Sequence, residues 1–257
     1  MSGQRRRWPA AERSYWEAVA DAFDAEIFDV CGSDRNGVVA ANIRRLASRR
    51  RTVMDLGCGV GRTLPLLSRL FGRVLAVDIS GRCLDIARRR GLPNVEYIRA
   101  DLARPGCRLP QCDSVVCINA ILMTGVAECR NAFDALRRAV TTGGGLVLTV
   151  PSLESVLFTR TKIIAAAARR KQPYREKLDD YCRLGRTPGY FESAVVIDGV
   201  PTKHYLKEEL VSLLTDRRFA ISGIEKIEYG WDSEITNRPW PDRAPYPWDW
   251  CAVARKR

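Results

Sequence analysis

A parallel, doubly wound α/β sheet is the architecture to expect from this chain of 257 residues. Two observations point to it. Apolar runs of strand length alternate with stretches of helical period, and the first such run, in "VMDLGCGVGRTLPLL" (53–67), breaks into three alternating glycines before a helix resumes. Alternating strand and helix units build parallel strands with crossover helices, and glycines at a strand-to-helix turn let a ligand approach the backbone at the carboxyl edge of the sheet.

The elements follow in order. In "SYWEAVADAFDAEIFDV" the apolar residues Tyr15, Trp16, Val19, Phe23 and Ile27 recur at helical spacing. Strands are expected at 52–56, 74–78, 95–99, 113–118 and 145–150, with helices near 62–70, 81–90 and 129–140 between them. After "TVPS" the rhythm changes. Residues 152–172 read as a long basic helix, 173–192 as an irregular segment, and "SAVVIDGVPTKHYL" as a hairpin turning at Asp198-Gly199. This reads as an insertion over the carboxyl edge. "KEELVSLLTDRRF" resumes a helix, "AISGIEKIEYGW" a strand and "WDWCAVARK" a last strand, with the Pro- and Trp-rich stretch 231–247 between those two strands.

Composition bounds the function. With 46% apolar residues the chain can bury a sizeable core. Its longest strongly apolar run, "IIAAAA" at 163–168, falls far short of the roughly 18 residues that span a bilayer, so the expectation is a cytoplasmic protein with no membrane partner. Nine cysteines include no CxxC pair and only one histidine accompanies them, so no metal is expected and the thiols read as reduced, mostly buried side chains. The net charge of +12 raises a nucleic-acid reading, but Arg5–Arg7 and Arg255–Arg257 are terminal, and Arg49–Arg51 and Arg88–Arg90 sit at helix ends, where the dipole favours cations.

The glycine turn narrows the ligand. A dinucleotide site takes G-x-G-x-x-G/A, yet with Gly57 and Gly59 in the first two places the third falls on Arg62, and Gly61 comes one residue early. The pattern is an acid, Asp55, followed by G-x-G-x-G. With these residues the sequence resembles the class I S-adenosylmethionine-dependent methyltransferases, from about Tyr15 to the last strand. That resemblance implies a Rossmann-like, seven-stranded, mostly parallel sheet with a reversed last strand. It also implies one domain over 1–257: a helical cap at 1–50, a cofactor core at 51–150, a substrate-side insertion at 151–205 and the rest of the sheet at 206–257.

The implied cofactor is S-adenosylmethionine, held at Gly57, Gly59 and Gly61. The family's ribose acid falls on Asp78, its adenine-binding acid on Asp101, the ring sandwich on Ile79 and Leu102, and the methionine end on Asn119 and Asp55. Ordinary roles remain open beside these: a helix cap for Asp78, a turn for Asp101 or Asn119. Methyl transfer needs alignment more than a covalent nucleophile, but a hydroxyl or protonated amine acceptor gains from a general base. His204, the sole histidine, is the candidate, with a structural hydrogen bond as its alternative role. Tyr15, Tyr190, Tyr205 and Trp231 are the expected substrate contacts, in an aromatic pocket for a small acceptor methylated on O or N. Two other classes stay open. An RNA or protein methyltransferase would use the basic helix at Arg160, Lys162, Arg169, Arg170 and Lys171, although no nucleic-acid module accompanies it; a noncatalytic cofactor-binding protein would keep the acids without turnover.

Overall fold

Hydrophobic strands that lack alternation dictate the centre of the molecule. In a computed structural model, which describes residues 8–170, 183–184, 191, 193–197, 200–235, 238 and 240–257, the chain forms β1 (Thr52–Leu56), β2 (Arg73–Asp78), β3 (Val95–Arg99), β4 (Cys112–Ile118) and β5 (Val140–Pro151). A short sheet follows, made of β6 (Arg183–Leu184), β7 (Ala194–Ile197) and β8 (Val200–Lys203), before β9 (Phe219–Glu228) and β10 (Trp248–Lys256) complete the main one. The main sheet runs β3-β2-β1-β4-β5-β10-β9. The first five strands are parallel, and only β10 is reversed, antiparallel to both β5 and β9. The expected reversed last strand is therefore present, inserted one place in from the edge.

Both faces of this sheet are covered, which is why its strands read as continuous apolar runs. From β1 and β4, Met54, Leu56, Val115 and Cys117 face one core with helix residues Phe133, Leu136, Leu210 and Leu214; Val53 and Val116 face the other, with Ile43, Leu64, Leu67 and Leu84. All of these are essentially fully buried, and each such Leu, Ile or Phe contributes about 1.5–3 kcal/mol.

The helices are α1 (Trp8–Val19), α2 (Phe23–Glu26), α3 (Val30–Ser33), α4 (Val38–Leu46), α5 (Leu64–Leu70), α6 (Gly81–Arg88), α7 (Val126–Ala139), α8 (Leu153–Arg169) and α9 (Lys207–Thr215). Ser80 and Ser152 start α6 and α8 as N-caps, each hydroxyl accepting from a backbone N–H three residues on. The expected N-terminal helix is broken. A 3-10 turn at Ala20–Ala22 separates α1 from α2, and the chain is extended by Ile27. Arg62 fastens the segment that follows the break: its guanidinium donates to the carbonyls of Phe23 (3.1 Å) and Ile27 (2.9 Å).

The hairpin of β7 and β8 forms as expected, with Ile197 opposite Val200; its turn residues Asp198-Gly199, and most of 173–192, lie outside the described residues. Main-chain bonds fasten this unit to the carboxyl edge: Lys203 N–H donates to Leu122 O, Phe191 N–H to Thr124 O and Tyr205 N–H to Pro151 O. Among the described residues no helix is long and apolar enough to cross a membrane.

Candidate functional site: a cleft at the carboxyl edge

The glycine turn after β1 shapes a cleft. Gly57, Gly59 and Gly61 have φ of 81°, 51° and 80°, the left-handed region that penalises any side chain. A Cβ on Gly57 would overlap that of Ala120, and one on Gly59 would come within 2.7 Å of the Phe23 ring. Gly61 serves packing instead: a Cβ there would meet Leu64 and Ala87, and this residue does not line the cleft. The N–H groups of Gly57 and Cys58 donate to Val77 O at 2.8 and 2.9 Å, locking the turn to the end of β2.

Asp78, the last residue of β2, spans that junction. Its Oδ2 accepts from Gly59 N–H at 2.8 Å and its Oδ1 from Ser80 N–H at 2.9 Å. Burial raises its carboxyl above the usual range, and these N–H donors oppose the rise. Asp55 lies deeper. Burial first, and then the charge of Asp78, push it up to about 7, and its Oδ2 is a buried oxygen with no hydrogen-bond partner. Asp101 follows β3 with Oδ1 accepting from Ala103 N–H at 2.9 Å. Asp55, Asp78, Ile79, Asp101, Leu102 and Asn119 all line this one cleft together with Gly57 and Gly59.

Beyond Asn119 lies a polar network that the sequence did not announce. Asn119 has φ of 44°, and its Oδ1 accepts from the Thr149 hydroxyl at 2.8 Å. Its Nδ2 donates to Asp249 Oδ2 at 2.7 Å, and the Tyr229 hydroxyl donates to the same oxygen at 2.9 Å. Burial pushes Asp249 up to about 7 against the pull of these two donors.

The N-terminal segment roofs the cleft. Trp16, Phe23, Ile27 and Phe28 line it, and two charged anchors hold the roof down. Glu17 accepts from the N–H of Arg82 (3.0 Å) and Gly81 (3.0 Å) and the Ser80 hydroxyl (3.1 Å), all just past Asp78, and from Arg99 (2.8 Å), which pairs with Asp78 across β2 and β3. The N–H of Arg82 leads the donors that lower its carboxyl below the usual range. Arg62 is the second anchor: besides the two carbonyls, it pairs with Asp24 at 2.9 Å and lies 5.0 Å over the Phe23 ring. Its only trace in the sequence was the missing dinucleotide glycine.

The residues expected to act on the acceptor lie elsewhere. His204 does not line the cleft; it is buried, Nδ1 is 3.0 Å from Thr202 O, and burial lowers the imidazole to about 4. Tyr205 is fully buried, its hydroxyl donating to Ile121 O at 2.8 Å. Trp231 is likewise enclosed, with its indole N–H on Arg243 O at 3.1 Å, and Tyr15 packs edge-on against Trp16 outside the lining. Tyr190 is outside the described residues. Tyr205 and Trp231 fill and brace the scaffold.

A family model described as a methyltransferase domain matches residues 53–144, the segment that carries every acid of the cleft except Asp29. The magnesium-protoporphyrin O-methyltransferase of Rhodobacter capsulatus is 30% identical over 163 residues, which span 61% of this chain and 69% of that relative. The chain belongs to the class I S-adenosylmethionine-dependent methyltransferases. Solved structures share the fold of this methyltransferase. One from Anabaena variabilis aligns with a TM-score of 0.63 at 17% identity, covering 100% of this chain and 98% of that one; a DhpI-SAM-HEP complex aligns with 0.61 at 20% identity, covering 98% and 100%. The methyl donor of this family is S-adenosylmethionine, and the cleft suits it: the unpartnered Asp55 oxygen can meet an ammonium, and Gly57 and Gly59 line the same cleft as Asp78 and Asp101.

Proposed function

We propose that this methyltransferase modifies an oxygen or nitrogen atom of a small-molecule acceptor. The charge of the cleft carries the reading. Among the described residues, Asp29, Asp55, Asp78 and Asp101 line it against one cation, Arg62, which is itself engaged by Asp24 and two carbonyls, although the chain as a whole carries +12. A nucleic acid would have to bring its phosphates against carboxylates. The roof of Trp16, Phe23 and Phe28 also limits the size of what enters. From the basic helix, Lys162 lies over the rings of Phe158, Trp231 and Trp240 at 5.0–5.9 Å, a contact that turns it toward the protein. Arg169 and Arg170 are exposed at the end of that helix, and Lys171 is outside the described residues.

In this reading Asp78 accepts from the ribose hydroxyls while keeping Gly59 and Ser80 in place. Asp101 accepts from the adenine amino group, Ile79 and Leu102 flank the ring, and the ionised form of Asp55 faces the ammonium. When bound, the sulfonium supplies a methyl group that is already activated. The chain's own task is then to align the acceptor and keep water away, which the aromatic roof serves. The O-methyltransferase of R. capsulatus, whose name states a tetrapyrrole substrate, is consistent with a small acceptor.

The test supplies the protein with methyl-labelled S-adenosylmethionine and, separately, the small-molecule, RNA and protein fractions of one cell extract. Label is expected in the small-molecule fraction alone. Transfer into RNA or protein would overturn the reading.

A further inference from the structure

We infer that the acceptor carries its nucleophilic hydroxyl or amino group on a flat aromatic ring, and that Phe28 selects it by stacking. The inference deepens the small-molecule reading above and rests on it. Exposure carries it first. Phe28 lines the cleft and is 42% exposed, the one aromatic side chain among the large apolar residues that the described part of the chain leaves open to solvent. Trp16 and Phe23, the other aromatic side chains of the roof, are half-buried. An exposed aromatic ring inside a cleft is apolar surface that a ligand can cover.

Position separates this ring from the cofactor. The glycine turn, Asp78, Ile79, Asp101 and Leu102 all lie at the ends of β1, β2 and β3. Trp16 and Phe23 belong with them: the Phe23 ring stands against Gly59, and the Trp16 carbonyl accepts from the thiol of Cys83, on α6 just past Asp78, at 3.6 Å. Phe28 instead meets Tyr229, which follows β9 at the opposite edge of the sheet, with ring centroids 4.8 Å apart and planes at 84°. An edge-to-face contact of this kind is favourable in itself and fixes the plane of the Phe28 ring. Tyr229 is held in turn, because its hydroxyl donates to Asp249 and the Asn119 amide donates to the same oxygen. The polar network beyond Asn119 therefore braces an apolar surface on the side of the cleft away from Asp78 and Asp101. Ile118 and Met123, at the end of β4 and in the loop after it, line the cleft on this side too.

Charge completes the specification. Asp29 follows Phe28 directly and lines the same cleft, its Oδ1 accepting from Gly32 N–H at 3.0 Å, while the guanidinium of Arg62 is engaged by Asp24. A carboxylate or phosphate on the ring would meet acids with no free cation among the described lining residues. The ring is thus neutral or cationic. In the transfer, the lone pair of its hydroxyl or amino group forms the bond to the methyl carbon, the carbon–sulfur electron pair stays with sulfur as a neutral thioether, and the proton departs to solvent.

The test saturates the full chain with S-adenosylhomocysteine and measures, by calorimetry, binding of 2-naphthol, of its saturated counterpart decahydro-2-naphthol and of 6-hydroxy-2-naphthoate. The wild type is expected to bind 2-naphthol, and to bind the naphthoate about tenfold more weakly. In Phe28→Leu, which keeps an apolar side chain without a ring, 2-naphthol should bind about fivefold more weakly, with decahydro-2-naphthol and S-adenosylhomocysteine affinities unchanged. Phe28→Trp, which keeps a ring, should retain the preference for the aromatic probe. No binding of 2-naphthol by the wild type, naphthoate binding as tight as that of 2-naphthol, equal losses for the two naphthols in Phe28→Leu, or a parallel loss of S-adenosylhomocysteine affinity overturns the inference while leaving the methyltransferase reading intact. Label in RNA or protein in the fractionation described above would instead remove the small-molecule reading beneath it. Should S-adenosylhomocysteine not bind the wild type, the reading of the cleft falls and the inference falls with it.

Discussion

On the proposed reading, in which Asp55 meets the ammonium of the methyl donor, cofactor binding is coupled to pH. The Asp55 carboxyl is held up to about 7 by burial and by the charge of Asp78, so without ligand it is protonated through the mildly acidic range. An ammonium is met well only by the ionised form. Affinity for S-adenosylmethionine is therefore expected to rise between pH 6 and 7, by at most about tenfold per pH unit, and to level off above. Calorimetry in buffers of different ionisation heat should register up to one proton released on binding. The sign for stability is opposite. A carboxyl whose folded value lies above its unfolded one contributes stability that is complete below about pH 4 and lost as the pH rises through 7. The ligand-free protein should melt lower at pH 8 than at pH 5.5, with a shallower slope in Asp55→Asn; a flat affinity profile in the wild type would show that Asp55 does not meet the ammonium. That Asp55, Asp78 and Asp101 would share one cleft was legible in the sequence, because they fall at the strand ends where the resembled family carries its acids. Asp249 was not, since "WDW" reads only as alternation within a strand, and its meaning depends on register with β5 and on contact with Asn119. Tyr205 and Trp231 misled for a related reason: an aromatic side chain fills a core or lines a pocket with the same local pattern.

The turn from β1 to α5 behaves as one element with two kinds of glycine. Gly57→Ala would put a methyl group onto Ala120 at a φ of 81°. The backbone would have to shift, loosening the N–H donors of Gly57 and Cys58 from Val77, so cofactor affinity is expected to fall about a hundredfold or more. Gly61→Ala presses instead on Leu64 and Ala87, and should lower the melting temperature with a smaller effect on affinity. Equal affinity loss in the two variants would contradict this division. The strands flanking the turn were readable because burial on both faces leaves an uninterrupted apolar run. The hold on the N-terminal segment was not, because it comes from Arg62, some 35 residues away from Ile27 in the chain. The insertion was legible as a hairpin from its Asp-Gly turn, whereas its attachment to the post-β4 loop uses backbone groups that carry no sequence signature.

Across the described residues, part of the positive charge is engaged by main-chain carbonyls. Arg49 donates to Ser68 and Phe71, Arg51 to Leu46, Arg90 to Val60, Arg137 to Arg217, and Lys256 to Arg137 and Val140. Such bonds close helix ends and loops, so a chain of +12 need not be a nucleic-acid binder. The same economy governs the roof of the cleft, whose fastenings (Glu17 on the start of α6 and Arg99, Asp21 on Arg82, Asp24 on Arg62) are mostly ionic and partly exposed. Salt weakens attractions of this kind, since the screening length falls from about 10 Å at 0.1 M to about 3 Å at 1 M. Stopped-flow release of S-adenosylhomocysteine should accelerate several-fold over that range in the wild type and be faster, with less response to salt, in Glu17→Gln; equal, salt-independent rates would refute it. Residence time would then be a property of the N-terminal roof: the enzyme's turnover would be timed by how long the spent cofactor waits for a latch of carboxylates to let go, and the ionic strength of the cell would set that clock.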